Sequence, residues 1–169
     1  MPAAPTPAPD PHDFDFLNGL WQVLHRRLTR RLTDCHEWQE FGGTCVNRNT
    51  LGGKGNMDDN VLELPEGSYR AMSVRSLDPA TGRWAIWWLD ARDPHRLDPP
   101  VIGRFDGGVG TFYADDSLGD KPVRVRFRWT ATDTASPQWE QAFSPDAGQN
   151  WEINWTMTFV RAPAGLTPT

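Results

Sequence analysis

The sequence predicts an all-β fold, a single antiparallel up-and-down β-barrel of about ten strands around a ligand cavity. From residue 20 onward, short β-prone runs alternate with clusters of Gly, Pro, Asp and Asn, and there is little helical periodicity. The connections are short and turn-like, so strands that are neighbours in sequence should form hairpins. Nine of the 169 residues are tryptophans, whose large indole rings need a deep core or a stacking surface.

Ten segments of the chain are predicted to be strands. Closure into a barrel removes the edges that an open sheet of this order would expose, and a barrel of about eight or more strands can hold one small ligand. The predicted strands are residues 20–29, 36–46, 57–64, 68–77, 83–90, 101–105, 109–114, 123–131, 138–144 and 151–160.

The length of the chain fits one domain. We expect a disordered Pro- and Ala-rich arm at residues 1–13, the barrel at 14–161 and a flexible tail at 162–169. The start lacks the basic, apolar pattern of an export signal, so a cytoplasmic location is expected. The longest apolar run, residues 84–89, is far shorter than the roughly 18 residues of a membrane span.

Charge and cysteine content narrow the classes of partner. A formal net charge of −5 removes the electrostatic attraction that draws basic proteins to nucleic acids and anionic membranes. Cys35 and Cys45 are too few for a disulfide framework and are expected to stay reduced. The expected partner is a small-molecule ligand, and no cofactor, nucleic acid or membrane is expected.

Two short motifs mark the ends of the predicted barrel. Gly19, Leu20 and Trp21 open the first strand, and Arg161 closes the last. This arrangement resembles the lipocalin signature, in which the tryptophan of a Gly-x-Trp motif plugs the barrel base and a terminal arginine packs over it. The resemblance implies that Trp21 points into the barrel and contacts Arg161.

A longer pattern of Gly, Asp, Asn and Trp residues runs through the chain. It consists of Gly52, Gly53, Gly55, Asn56, Asp58, Asp59, Asn60, Trp84, Trp87, Trp88, Leu89, Asp90, Trp139, Glu140, Gln141, Trp151, Glu152, Asn154 and Trp155. The pattern resembles that of an uncharacterised bacterial group of calycin-like proteins, the domain of unknown function DUF1579, over residues 14–161. This resemblance implies a fold and no established activity.

Alternation along each strand separates a lumen face from an outer face. Near residues 123–131 and 151–160, aromatic and aliphatic side chains alternate with Arg, Glu and Asn, which favours an aromatic lumen and a charged outer face.

The first strand allows two assignments of its faces. With Trp21 inward, Val23, His25 and Arg27 share a polar lumen wall, and an outward leucine face at positions 20, 24 and 28 would favour a homodimer. The opposite assignment buries the leucines and leaves His25 in water, unless a β-bulge switches the faces.

Six residues are candidates for ligand binding, and they are Arg27, Arg75, Trp88, Tyr113, Arg126 and Asn154. Arg75 and Arg126 could anchor a carboxylate, because a guanidinium group matches a carboxylate in bidentate fashion. Trp88 and Tyr113 could stack on a ligand or hydrogen-bond to it, although core packing explains both residues as well. Arg27 belongs to the polar lumen wall that an inward Trp21 would give, and Asn154 is the candidate on the last strand.

His25 is the sharpest candidate for chemistry, because only histidine has an unperturbed pKa near neutrality. With Asp90 or Glu140 as its acid–base partner, it would give a cofactor-independent isomerase, cyclase or hydrolase. A hydrogen-bonded structural histidine is the simpler interpretation, and Asp90 fits a turn or a salt bridge equally well. Glu140 could instead bond to Arg126 across the sheet.

Metal and haem sites have little support in the sequence. Neither Asp93, His95 and Asp98 nor residues 58–60 show a recognised metal-ligand spacing, so both groups are interpreted as turn residues. No histidine follows His95, whereas a nitrobindin-like haem barrel carries its iron-binding histidine late in the chain.

One late hairpin resembles an Asp-box, in which an aspartate and backbone amides lock a turn above an aromatic side chain. Its residues are Ser144, Asp146, Gly148 and Trp151. A single copy in a short chain does not suit a sialidase propeller, so the motif is interpreted as structural.

The leading hypothesis is a small-molecule-binding barrel whose ligand is an apolar or aromatic compound with a polar or carboxylate end. The alternatives are the acid–base enzyme and a structural barrel with a filled lumen and a dimer interface. The face of the first strand that lines the barrel helps to separate these functions.

Overall fold

A computed structural model describes residues 1, 5 and 8–166 of the chain. Its strands are β1 (Gly19–Leu28), β2 (Trp38–Thr50), β3 (Gly55–Leu64), β4 (Gly67–Asp78), β5 (Arg83–Asp90), β6 (Val101–Asp106), β7 (Val109–Leu118), β8 (Lys121–Thr130), β9 (Gln138–Ser144) and β10 (Glu152–Arg161). All ten pair antiparallel with their sequence neighbours, and β1 closes the barrel against β10. The predicted fold class is therefore confirmed.

Several strands extend beyond their predicted bounds into polar sequence. β2 continues to Thr50 and β7 to Leu118, because the barrel ladder supplies backbone partners past the apolar residues. Residues 58–60, interpreted from the sequence as a turn, lie inside β3. That interpretation was wrong because Asp58 has a buried cationic partner, described below, which lets a carboxylate occupy an inward strand position.

Burial assigns the two faces of β1. Trp21, Val23 and His25 are buried and point inward, whereas Leu24 is 50% exposed on the outer face. Leu28 shares the outer face of Leu24 by alternation, yet it is buried at the end of the strand. Val160 of the neighbouring β10 is also half exposed, and the homodimer suggested by an outer leucine face stays a prediction.

The barrel end where β1 begins is closed by a short 3₁₀ helix, Asp15–Leu17. The Trp21 indole N–H donates to the Leu17 carbonyl at 2.7 Å, and the Arg161 guanidinium carbon lies 3.8 Å from the centre of the Trp21 ring. Gly19 has φ +109°, and a Cβ atom there would meet the Arg161 guanidinium. This end is the base of the barrel, and Trp21 and Arg161 pack there as the lipocalin resemblance implies.

The late hairpin has the hydrogen bonds of a locked turn. Ser144 Oγ donates to Asp146 Oδ1 at 2.7 Å and accepts from the Gly148 amide at 2.8 Å. Hydrogen bonds from the Asn150 side chain and amide hold the pKa of Asp146 below its usual range. Trp151 Nε1 donates to the Gly148 carbonyl at 3.1 Å, so the motif stabilises the β9–β10 connection.

The predicted arm and tail lie partly outside the described residues, at 2–4, 6–7 and 167–169. Near the end of the arm, Asp13 accepts a hydrogen bond from Trp84 Nε1 at 3.0 Å. The domain boundaries stay predictions.

In the described part of the chain, no helix has the length and apolar character needed to cross a membrane.

Candidate ligand cavity

A cavity of about 240 Å³ lies inside the barrel. Because β1 starts at the base, the connections at 29–37, 65–66 and 91–100 lie at the opposite end, which we call the mouth. At about 30 Å³ per water molecule, the cavity has room for roughly eight waters. This volume suits a ligand with one ring and a short chain.

The polar part of the cavity lining, which we call the floor, is formed by β3 and β4 and consists of Asp58, Asn60, Ser73 and Arg75. Arg75 reaches toward the base, where its guanidinium carbon lies 5.1 Å from the centre of the Phe14 ring. Arg75 Nη2 donates to Asp58 Oδ2 at 2.6 Å, and each side chain is only 4% exposed. Arg75 Nη1 donates to the side-chain oxygens of Asn56 at 2.8 Å and Asn47 at 3.1 Å. Arg75 thus lies in the lumen, as predicted for a ligand anchor, but its carboxylate partner belongs to the protein.

Asp58 is held on both of its oxygens. Oδ1 accepts from Asn60 Nδ2 at 2.6 Å and from the Ser73 backbone amide at 2.8 Å, while Oδ2 faces Arg75. A buried carboxylate with this many donors is fully compensated. The floor therefore carries hydrogen-bonding groups without a net charge.

The walls of the cavity are mostly aromatic. Trp139 and Trp155 meet edge to face with centroids 5.5 Å apart, and Trp88 meets Trp155 in the same way at 5.8 Å. The predicted ligand-binding residue Trp88 therefore does line the cavity. The remaining wall residues are Ile86, Phe127, Trp129, Gln141, Phe143, Met157 and Phe159.

The mouth contains two arginines for which the described residues provide no ion pair, Arg27 and Arg31. Arg27 Nη1 donates to the Tyr69 hydroxyl at 3.1 Å, and its guanidinium carbon lies 5.1 Å from the Trp155 ring centre. Arg31 lines the same opening, and its Nε is buried without a hydrogen-bond partner in the described structure. Burial, followed by the charge of Arg27, lowers the pKa of Arg31. Glu152 acts on Arg31 by a smaller Coulomb attraction that raises the pKa of Arg31, and the charge of Arg27 helps to lower the pKa of Asp90.

Two carboxylates, Asp90 and Asp98, also line the mouth. Asp90 forms a salt bridge with Arg92, so Arg92 is already paired. Arg92 Nη2 donates to Asp90 Oδ2 at 2.8 Å, and its guanidinium carbon lies 3.5 Å from the Tyr69 ring centre. Burial opposes ionisation of Asp90, but the hydrogen bonds from Arg92 outweigh it and lower the pKa of Asp90. Burial and the charge of Asp116 raise the pKa of Asp98. Asp90 is thus a salt-bridge residue, the second of its two predicted roles.

His25 is a buried histidine held in one tautomer. Its ring is stacked on Phe41 at 4.7 Å, and Nδ1 accepts a hydrogen bond from Trp155 Nε1 at 3.2 Å, so the proton of the neutral ring is on Nε2. Burial, followed by the charge of Arg27, lowers the pKa of His25 to about 3. Among the described residues, no carboxylate hydrogen-bonds to His25, which fits the structural interpretation.

Three predicted site residues lie outside the lumen. Glu140 and Arg126 face outward because Trp139 and Phe127 take the inward positions of β9 and β8, and Arg126 Nη2 lies 3.5 Å from Glu140 Oε1. Tyr113, on the outer face of β7, is 38% exposed. Neither the catalytic role predicted for Glu140 nor the ligand contacts predicted for the other two fit these positions.

Asn154 lies at a register shift of β10 between Ile153 and Trp155. It is fully buried, and its Oδ1 accepts from Gln141 Nε2 at 2.9 Å. Gln141 lines the cavity, so Asn154 orients a lining side chain through this hydrogen bond.

The described residues contain no group of three His, Cys, Asp or Glu side chains arranged to hold a metal ion.

Sequence reasoning missed several lining residues, and only some of them had a detectable signal. Tyr69 and Ser73 lie on the same face of β4 as Arg75, because side chains an even number of positions apart on a strand point the same way. Once Arg75 is placed in the lumen, this alternation predicts that Tyr69 and Ser73 line the cavity too. Asn60 shares the parity of Asp58 on β3 in the same way. Arg31 lies in a connection, where alternation gives no information.

Comparisons with known proteins add no family assignment. No protein-family model matches the chain, and no curated protein matches its sequence. The barrel is shown by the structure, whereas the resemblance to the DUF1579 group stays a prediction.

Proposed function

We propose that this barrel binds a small aromatic or apolar carboxylate, with the carboxylate at the mouth and the apolar body between the tryptophans. The observation that carries this proposal is the placement of Arg27 and Arg31, without ion-pair partners in the described structure, at the open end of an aromatic cavity. A partly buried guanidinium without an ion pair can form charge-assisted hydrogen bonds with an anionic ligand, so such a ligand would be stabilised there.

The surroundings of Arg27 support a preformed anion site. Its guanidinium is fixed by the Tyr69 hydroxyl and by the faces of Trp155 and Phe41, 5.1 and 5.3 Å away. A side chain held in this way loses little rotational freedom when it binds a carboxylate. Arg92 is a third arginine near the mouth, but its charge is already balanced by the bidentate pair with Asp90.

The walls support a ring-containing body rather than a long alkyl chain. The edge-to-face tryptophans leave flat surfaces suited to stacking, and the cavity of about 240 Å³ is short. The acid–base alternative gains no support, because His25 is hydrogen-bonded to Trp155 and Glu140 lies on the outer face.

Titration with 3-phenylpropanoate and its uncharged amide, 3-phenylpropanamide, followed by calorimetry and tryptophan fluorescence, tests this function. We expect the acid to bind at least about tenfold more tightly than the amide, because only the acid makes charge-assisted hydrogen bonds. Arg31→Met should reduce this preference, with Arg27 left as the remaining anion-binding arginine. Arg128→Met, which removes an exposed outer-face arginine, is the matched control and should keep it.

Two results would contradict the proposal. If the amide binds as tightly as the acid, the arginines of the mouth do not hold a carboxylate. If neither probe binds or changes the tryptophan emission at millimolar concentration, the cavity is not a site for this class of ligand.

A further inference from the structure

We infer that the ligand carries a neutral hydroxyl group at the end remote from its carboxylate, and that Ser73 and Asn60 recognise this hydroxyl at the floor. The inference rests on the proposed function, and it adds the class of compound, a hydroxyaryl carboxylate. Arg27 and Arg31 lie at the mouth, whereas Asn60 and Ser73 lie inward of the mouth ends of β3 and β4, so a ligand that extends from the arginines into the lumen meets both groups.

Besides the buried Nε of Arg75, the floor has two polar side-chain atoms without a partner of their own in the described structure. Ser73 is 5% exposed and lines the cavity; its backbone amide donates to Asp58, while its Oγ forms no hydrogen bond within the described structure. Asn60 Nδ2 donates to Asp58 Oδ1 at 2.6 Å and to the Ala71 carbonyl at 3.3 Å, which leaves its Oδ1 as an acceptor. Both atoms need a partner when water leaves the cavity.

A hydroxyl group matches this pair better than a carbonyl oxygen or an apolar end does. Ser73 Oγ can donate or accept, whereas Asn60 Oδ1 only accepts, so the best partner both accepts from Ser73 and donates to Asn60. A carbonyl oxygen would face the Asn60 oxygen without a hydrogen between them. An apolar end would leave both protein atoms buried without a partner.

The charge of the floor indicates that the deep end of the ligand is neutral. The charge of Arg75 is balanced by Asp58, and Asn47 and Asn56 occupy its other amino group. A second ligand carboxylate there would be buried beside Asp58 without a countercharge of its own. An ionised deep end should therefore be rejected.

Three probes with the same carboxylate chain test the inference on the intact protein. They are 3-phenylpropanoate, 3-(4-hydroxyphenyl)propanoate and 3-(4-carboxyphenyl)propanoate. We expect the hydroxylated probe to bind about tenfold more tightly than the unsubstituted one, because it satisfies two buried polar atoms, and the dicarboxylate to bind most weakly.

Ser73→Ala isolates the floor contact. We expect it to reduce the preference for the hydroxyl to less than about threefold. Ser76→Ala, on the opposite face of the same strand, is the matched control and should keep the full preference. The probe series on the unaltered protein tests the preference for a hydroxyl even when a variant folds poorly.

The outcomes separate the inference from the proposed function. If the hydroxylated and unsubstituted probes bind equally, or the dicarboxylate binds best, the floor assignment is overturned and the mouth assignment stands. If none of the three binds, the proposed function is overturned together with the inference. If Ser76→Ala lowers the preference as much as Ser73→Ala, recognition by the lumen-facing hydroxyl is overturned.

Discussion

The two ends of the lumen use the same residue type in different ways. At the floor, Arg75 is 4% exposed and bonded to Asp58, Asn47 and Asn56, all from the protein itself. At the mouth, Arg27 has a neutral phenol as its hydrogen-bond partner, and neither Arg27 nor Arg31 forms an ion pair in the described structure. A buried Nε without a partner is common to Arg31 and Arg75 and does not distinguish the two ends. An arginine in a barrel is therefore a structural ion-pair residue or a ligand site according to what already surrounds it.

This difference has opposite energetic consequences at the two ends. A buried ion pair stabilises weakly as a pair, but removing one partner leaves an uncompensated charge. A half-buried arginine without an ion pair costs less than a buried one, and a ligand anion that binds it adds stability to the complex. The floor should thus control the stability of the empty barrel, and the mouth should control affinity.

The largest expected effect is the loss of stability on Arg75→Met. The variant leaves Asp58 buried without its countercharge, and we expect the free energy of unfolding to fall by about 3–5 kcal/mol. Urea unfolding measures this change. Arg26→Met, at the exposed Arg26–Glu40 pair, is the control and should cost no more than about 1 kcal/mol. Equal losses for both variants would mean that the floor pair is not a structural element.

His25, which faces the lumen from β1, should make stability depend on pH. Its pKa is about 3 in the folded protein and 6.5 without its surroundings, so the unfolded state takes up the proton first as the pH falls. The free energy of unfolding should therefore decrease from about pH 6.5 downward, by about 1.4 kcal/mol per pH unit from this group.

Comparison of urea midpoints between pH 7.5 and pH 5 in His25→Gln, His36→Gln and the unaltered protein isolates this contribution. We expect His25→Gln to show the shallower dependence. His36→Gln changes an exposed histidine and should behave like the unaltered protein. Parallel curves for all three proteins would exclude a neutral buried His25.

The smallest expected effect on stability is that of Arg31→Met. Removing a half-buried charge that forms no ion pair in the described structure should leave the free energy of unfolding within about 1 kcal/mol of its original value, in either direction. Urea unfolding without added ligand, measured beside Arg75→Met, checks this expectation. A loss as large as that of Arg75→Met would remove the distinction between floor and mouth.

The barrel could be predicted from the sequence because its determinants are local. Alternation and turn residues recur along the chain, and antiparallel hairpins convert them directly into neighbouring strands. The Gly19–Trp21 motif and Arg161 also marked the base correctly, because each is at the end of a strand.

The site was less predictable because its chemistry depends on pairs from different strands. Arg75 and Arg126 looked equivalent in the sequence, yet one pairs with Asp58 inside the lumen and the other with Glu140 outside it. Alternation with Phe127 indicates that Arg126 faces outward, but alternation with Val74 would have given Arg75 the same outward position, so the buried partner Asp58 was the missing information. Arg31 had no such signal, because no strand alternation continues into the connection after β1.

The direction of the ligand in the lumen is the most direct test of the difference between the two ends. A crystal structure with 3-(4-bromophenyl)propanoate locates the bromine by its anomalous scattering. We expect the bromine at the floor beside Ser73 and the carboxylate between Arg27 and Arg31. Bromine at the mouth, or a probe bound only outside the barrel, would contradict the assignment of a polar neutral floor and an anion-binding mouth.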